Sequence, residues 1–322
     1  KIVPGHYAID DFGKFTEGFT AWDYDGKELA FQQEDKSTWR IPNAEKLDKV
    51  SYWVNDTYDI KGEAGTFSSS GTNINKGENF MLNLHGFVGY FEGLEEEDYR
   101  LEIKRPESLI PGTALDLVNS KQDPSSVTDI FMVNRYFEVT DNPIMYAKPD
   151  TTSIHEQGIT VLIDVYSPNN NFSAEKLKPE IERMINAQKN FLGEINNTNK
   201  YAILLYLSDM QKQDASSFGA LEHHSSTVVV LPESMPEDML KETMTDVVSH
   251  EFFHILTPLN VHSKEIHYFD YDDPVMSKHL WMYEGVTEYF ANLFQVNQDL
   301  IEEQDFYDRM MGKIQTAKGF DD

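Results

Sequence analysis

From residue 1 to about 150 the apolar positions come in short bursts. KVSYWVND, NFMLNLHGFVGYF, YRLEIKRP and DIFMVNRYFEVTDNP are separated by Gly, Pro, Asn and Asp. Short runs rich in aromatic and β-branched residues, bounded by turn formers, predict β-strands. No helical period and no internal repeat runs through this part, and GEAGTFSSSGTNINKGEN at 62–79 reads as a long polar loop. After about residue 152 the pattern changes. ITVLIDVYS predicts a strand, AEKLKPEIERMINAQKNFLG a helix, YAILLYLSD and STVVVLP further strands, and two helices follow. Leu240, Met244, Val247, Val248, Phe252 and Ile255 recur at spacings of three and four, which gives one buried helix face ending where Pro258 forces the chain out of α geometry. The expected class is α+β, with an N-terminal β-sandwich-like domain over 1–151 and a mixed α/β domain over 152–322.

Composition narrows the functions open to this chain. With 322 residues and 40% hydrophobic content it can bury a substantial core. Its apolar runs fall short of the roughly 20 residues a membrane helix needs, so no spanning segment is expected. Lys and Arg number 27 against 55 Asp and Glu, a net charge of −28, which repels polyanions and argues against nucleic acid as a partner. There is no cysteine, so disulfides, thiolate zinc sites and a cysteine nucleophile are excluded; a tight metal site must use His, Asp and Glu. The first residue is Lys rather than Met, which suggests a processed or trimmed chain whose export signal is gone.

The chemistry concentrates late in the chain. HEFFH, His250 to His254, lies on the predicted apolar helix, and residues four apart share a helix face. Two imidazoles then converge on one cation, while Glu251 stands beside it as a general base toward a bound water. An apolar helix is a costly place for two histidines and a carboxylate without a metal or hydrogen-bond partners. A catalytic zinc takes a third protein ligand and keeps a fourth position open. The register used by metzincins would need His at 260 and Gly at 257; the residues are Asn260 and Thr257, and His262 is off register. WMYEGVTEYF offers Glu284 and Glu288 one turn apart, on a second helix with Tyr289 and Leu293 expected on its core side. Glu284 is assigned to the metal and Glu288 to orienting a ligand imidazole. Asp272, Asp273 and Glu265, in an irregular acidic stretch, are the competing ligands.

HEFFHILTPLNVHS followed by LWMYEGVTEYF closely resembles the catalytic core of the glycyl aminopeptidase family of gluzincin zinc metallopeptidases, family sixty-one, and more distantly aminopeptidases of the N type. VPGHYAIDDFGKF resembles that family's N-terminal β-domain, so the likeness covers nearly the whole chain. It implies a thermolysin-like catalytic domain, one Zn2+ per chain, and Glu284 as third ligand. GALEHHSST at 219–227 resembles the family's amine-binding segment, which would put Glu222 on the free α-amine of a peptide, with Gly219 and Ala220 beside it and His223 lining the pocket or packing. An edge strand of small residues can pair with an extended peptide, and a carboxylate beside it can fix an ammonium. The implied activity is removal of small N-terminal residues such as Gly or Ala from peptides, outside the cytoplasm. The alternatives are a zinc endopeptidase and a peptide-binding module with a vestigial zinc site. Relatives usually supply a tyrosine donor well beyond the third ligand, and commonly continue into further helices and a PDZ-like domain. Downstream of Glu284 only Tyr289 and Tyr307 occur, and Tyr307, the later of them, reads as a packing residue.

Overall fold

Strand Lys200–Ser208 is apolar at nearly every position because both of its faces are covered. A computed structural model describes residues 1–60, 66–195, 198–212 and 214–320. In it this strand is the middle of a five-stranded sheet, ordered Thr151–Glu156, Ile159–Tyr166, Lys200–Ser208, Ser226–Pro232, Gly219–Glu222. The three inner strands are parallel, and both outer strands run antiparallel to their neighbours. Ile203, Leu205 and Leu207 face the helices Ala174–Leu192 and Glu237–Phe253, meeting Leu177, Ile181, Met244, Val248 and Phe252. The alternate residues Ala202, Leu204 and Tyr206 face the other way, onto Tyr58, Met81 and Met145 of the N-terminal part. One strand thereby ties the two halves of the chain together.

The N-terminal part is built of small antiparallel sheets. Thr16–Asp23 lies between Glu28–Leu29 and Leu47–Val54, and Ser126–Val133 between Leu117–Asp123 and Tyr99–Pro106. A third sheet runs Asn73–Asn75, Asn79–Leu82, Ile144–Ala147, Ile110–Gly112. Leu82, Leu101, Leu109, Phe131, Val139 and Ile144 form its core, joined from far along the chain by Tyr271. A five-residue helix, Tyr136–Thr140, interrupts the β pattern. Among the described residues no helix is long and apolar enough to cross a membrane.

Two expectations need correction. Residues 62–65 of the expected polar loop lie outside the described residues, and the remainder is not solvated: Thr66, Ser68, Ser69, Ser70 and Thr72 are buried, and Asn73–Asn75 is a strand. The serine hydroxyls and nearby carbonyls find protein partners: Ser69 Oγ donates to the Gly219 carbonyl at 2.8 Å and Ser70 Oγ to the Phe67 carbonyl at 3.0 Å. Ser68 Oγ accepts from the amides of Ser216 (3.2 Å) and Ser217 (3.1 Å), and Asn83 Nδ2 donates to the carbonyls of Ser69 (2.9 Å) and Gly71 (2.7 Å). Polar composition signals a loop only when such partners are lacking. The HEFFH helix also stops earlier than Pro258 requires. Its last regular residue is Phe253, His254 caps it, and turns carry the chain onward.

Buried charge in the N-terminal part is concentrated in Arg105 and Asp129. Arg105 Nε donates to Asp129 Oδ2 at 2.6 Å and Nη2 to Oδ1 at 3.2 Å, while Ser120 and Tyr146 hydroxyls donate to the same carboxylate. Removing one member strands the other in the core. Asp129→Ala should lower the unfolding free energy by about 3–5 kcal/mol, read as a lower urea midpoint; a loss below about 1 kcal/mol would show that Arg105 finds water instead.

Candidate metal centre

Glu237–Phe253 presents HEFFH from its last turn, and a π-helical turn, Trp281–Val286, leads into the helix Thr287–Asn297 that faces it. π-turns are uncommon and concentrate at functional sites. Here the turn carries Glu284. The helix after it buries Ala291 and Phe294, whereas Tyr289 is 45% exposed and Leu293 only partly buried; the expected core side of this helix was therefore misplaced. The core side is set instead by Phe294, which packs against Phe191 and Phe253.

Glu284 and Glu288 take hold of opposite edges of one imidazole. His250 Nδ1 bonds Glu288 Oε2 at 2.7 Å, and His250 Nε2 lies 3.2 Å from Glu284 Oε2. His254 is buried and its Nδ1 donates to the Thr257 carbonyl at 3.0 Å, which leaves the Nε2 lone pair facing Glu284 Oε2 at 3.9 Å. Glu288 is in turn held by Asn292 Nδ2 at 2.8 Å and by Lys313 Nζ at 2.5 Å. This is the outer support that metal-binding imidazoles usually have.

The donor set fits a divalent metal. One ligand atom each from His250, His254 and Glu284 lies within 4.8 Å of the others, and two imidazole nitrogens with one carboxylate oxygen suit a zinc-like ion with an open position. Glu265, Asp272 and Asp273 join no such group among the described residues; Asp272 is engaged by Lys1 Nζ at 2.9 Å. A second group, Glu222, Glu251 and His254, overlaps the first and is wholly buried. Glu251 Oε2 has no hydrogen-bond partner, although the residue is only 7% exposed. It faces the site uncommitted, as a base waiting for a water would.

Charge is crowded here, and the ionisation of each group reflects it. Burial, then the neighbouring Glu222 carboxylate, holds Glu251 well above the usual carboxylate range. Burial opposes a proton on His250, yet its bonds to Glu284 and Glu288 prevail and push it up to about 10. Burial would raise Glu288, but the hydrogen bonds from His250 and Lys313 bring it down to about 2. Together these shifts describe a pocket that demands positive charge.

The edge strand Gly219–Glu222 runs beside this pocket. Glu222 is 8% exposed and its carboxylate has no hydrogen bond or ion pair among the described residues. His223 is buried, 3.6 Å from Asp141 through Nδ1, with Nε2 unpartnered; His224, half-buried, bonds Asp141 at 3.1 Å. Gly219 is turned toward the N-terminal part rather than the pocket. Its carbonyl accepts from Ser69 Oγ at 2.8 Å, and a Cβ there would lie 2.9 Å from the Phe67 ring. Ala220 instead lines a hollow of 850 Å³ with Glu251, Asn292 and Arg309. Tyr307 is 53% exposed and bonds Glu303 on its own helix, so it does not pack as expected.

One neighbour of the site escaped the sequence reading. Tyr7 Oη donates to Glu284 Oε1 at 2.5 Å across 277 residues of chain. Burial and the Glu222 and Glu284 carboxylates raise its pKa far above the ordinary phenol value. The one available signal was the tyrosine in VPGHYAIDD, a polar-rich turn where an aromatic has little core to fill.

Comparison with known proteins bears on the family and the fold. Residues 1–148 match the model of the peptidase M61 N-terminal domain, and residues 243–320 match that of the M61 glycyl aminopeptidase. Among solved structures, an aminopeptidase N family protein from Idiomarina loihiensis superposes with a TM-score of 0.77 at 20% identity, over 94% of this chain and 50% of that one. An M1 zinc metallopeptidase from Deinococcus radiodurans gives 0.49 at 12% identity, over 88% and 62%. The chain thus spans only half the length of the first of these relatives. No curated protein sequence matches it.

The donor set makes a specific expectation. His254→Ala and Glu284→Ala should each abolish tight binding of a divalent metal in calorimetric titration, whereas Asp272→Ala should leave it unchanged. Loss of binding in Asp272→Ala with binding retained in His254→Ala and Glu284→Ala would mean that the acidic stretch, not the helix pair, holds the ion.

Proposed function

Because this chain belongs to the M61 glycyl aminopeptidase family, we propose that it is a zinc-dependent aminopeptidase that hydrolyses the first peptide bond of peptides, with small N-terminal residues such as Gly or Ala preferred. His250, His254 and Glu284 would hold the zinc. The observation that carries the exopeptidase reading is Glu222, a buried and unpaired carboxylate whose oxygen lies within 4.8 Å of ligand atoms of Glu251 and His254. A buried carboxylate without a partner is costly. A substrate ammonium supplies the missing charge and at the same time sets the distance from the chain start to the reacting bond.

When bound, zinc supplies Lewis acidity that polarises a carbonyl and makes water a better nucleophile near neutral pH. The chain's own residues do the rest. Glu251 Oε2, free of hydrogen bonds among the described residues, would take the proton of the attacking water and pass it on to the leaving amine. Glu288 and Thr257 hold the two imidazoles in orientation through their Nδ1 atoms. Gly219–Glu222, an outer strand of the sheet, would offer an extended peptide its free backbone edge at Ala220, since the Gly219 and Leu221 carbonyls already accept from the Ser69 and Thr227 hydroxyls.

Glu251→Gln should reduce kcat by about a hundredfold or more while zinc content stays at one per chain; residual activity near that of the parent would remove Glu251 from the proton path. Glycyl and alanyl anilides should be cleaved in a zinc-dependent way, and their N-acetylated forms should not. Equal cleavage of the acetylated substrates would sink the aminopeptidase reading and favour an endopeptidase with the same metal. Glu222→Gln should weaken free-amine substrates while leaving acetylated ones as poor as before.

A further inference from the structure

We propose that Tyr7, carried by the N-terminal β-rich part, is a positioning residue of the metal centre, whose hydroxyl fixes one oxygen of Glu284 so that only the other is presented to the ion. The inference rests on the metal site argued above. The Glu284 carboxylate is divided between two tasks: Oε1 accepts from Tyr7 at 2.5 Å, and Oε2 faces His250 Nε2 at 3.2 Å and His254 Nε2 at 3.9 Å. A carboxylate free on both sides can bind a cation through one oxygen or two. A short hydrogen bond to a charged acceptor is among the stronger ones, and it competes for the lone pairs that bidentate binding would use. Tyr7 therefore keeps Glu284 to a single ligand atom and preserves the open position that a hydrolytic site requires.

The segment that carries Tyr7 is built to hold it there. Asp10 and Asp11 amides donate to the Lys1 carbonyl at 3.0 and 2.9 Å, Ile2 and Val3 are buried, and the Lys1 ammonium bridges Asp35 (2.8 Å) and Asp272 (2.9 Å). His6 lies 2.7 Å from Asp10 and stacks on Phe67 with ring centroids 5.5 Å apart. Between them Gly5 has φ +84°, and a Cβ on it would come within 2.7 Å of the Glu222 carboxyl group. The turn thus leans on one carboxylate of the pocket while Tyr7, two residues on, reaches another. Tyr7 is 47% exposed, so it adds little to any core; its hydroxyl contact is its distinguishing interaction.

Tyr7→Phe removes that contact and little else. Zinc affinity, measured without any peptide by competition with a chromophoric chelator, should fall by about 10–100-fold, with the melting of the metal-free protein unchanged. In the Co2+-loaded protein the visible d–d absorption should weaken, because freeing Oε1 raises the coordination number and more highly coordinated Co2+ absorbs less. An affinity within about twofold of the parent, well under the usual outer-support effect, together with an unaltered Co2+ spectrum, would overturn the proposal. So would normal affinity with a fall in kcat at full metal loading, which would put Tyr7 on the substrate. A parent protein that binds no zinc sinks the metal reading itself, so the two failures are distinct.

Discussion

Negative charge held at close quarters governs this molecule. Glu222, Glu251, Glu284 and Glu288 gather around His250 and His254 in a pocket where most of these groups are buried or half-buried. Left alone, the cluster satisfies itself only partly. His250 takes up a proton far more readily than an ordinary imidazole, Glu251 resists ionisation, and Glu222 has no partner. Such an arrangement lowers the stability of a metal-free fold and is offset only when cations enter. The two overlapping ligand groups share His254, so the negative charge runs on without a break from Glu284 to Glu222. A divalent metal is of the right sign for the end that holds His250, His254 and Glu284.

Holding mutually repelling groups together requires a stiff support. The central strand is apolar on both faces, packed on one side by the helix that bears HEFFH and on the other by the N-terminal sheets. Because interiors are close-packed, displacement on one face is felt on the other. The edge strand bearing Glu222 is hydrogen-bonded into the same sheet, pairing Glu222 with Thr227 and Leu221 with Val228. The Glu222 side of the pocket is therefore fixed by the sheet, and the opposite side by the helices that carry His250, Glu251, Glu284 and Glu288.

Much of this was legible because its logic is local. HEFFH needs only a helix and a spacing of four, and Glu284 with Glu288 needs the same. The parallel strands announced themselves as continuous apolar runs. What was hidden depends on distant partners or on unusual pitch. Ser68 to Ser70 look solvated until Ser216, Ser217 and Gly219 are brought against them, some 150 residues later. No residue spacing announces the π-turn that carries Glu284, and Tyr289, 45% exposed, yields the core side of the next helix to Phe294 against Phe191 and Phe253. Tyr7 could not be linked to Glu284 by any periodicity, since no secondary structure spans the two.

The tight fit of Gly5 against Glu222 has a bearing on how such proteins can diverge. A residue with any side chain at position 5 would have to displace the carboxylate that faces the pocket, and its backbone conformation would be strained as well. The N-terminal turn and the strand bearing Glu222 are consequently interlocking parts, like ward and key: a side chain added to one must be answered by a shift in the other.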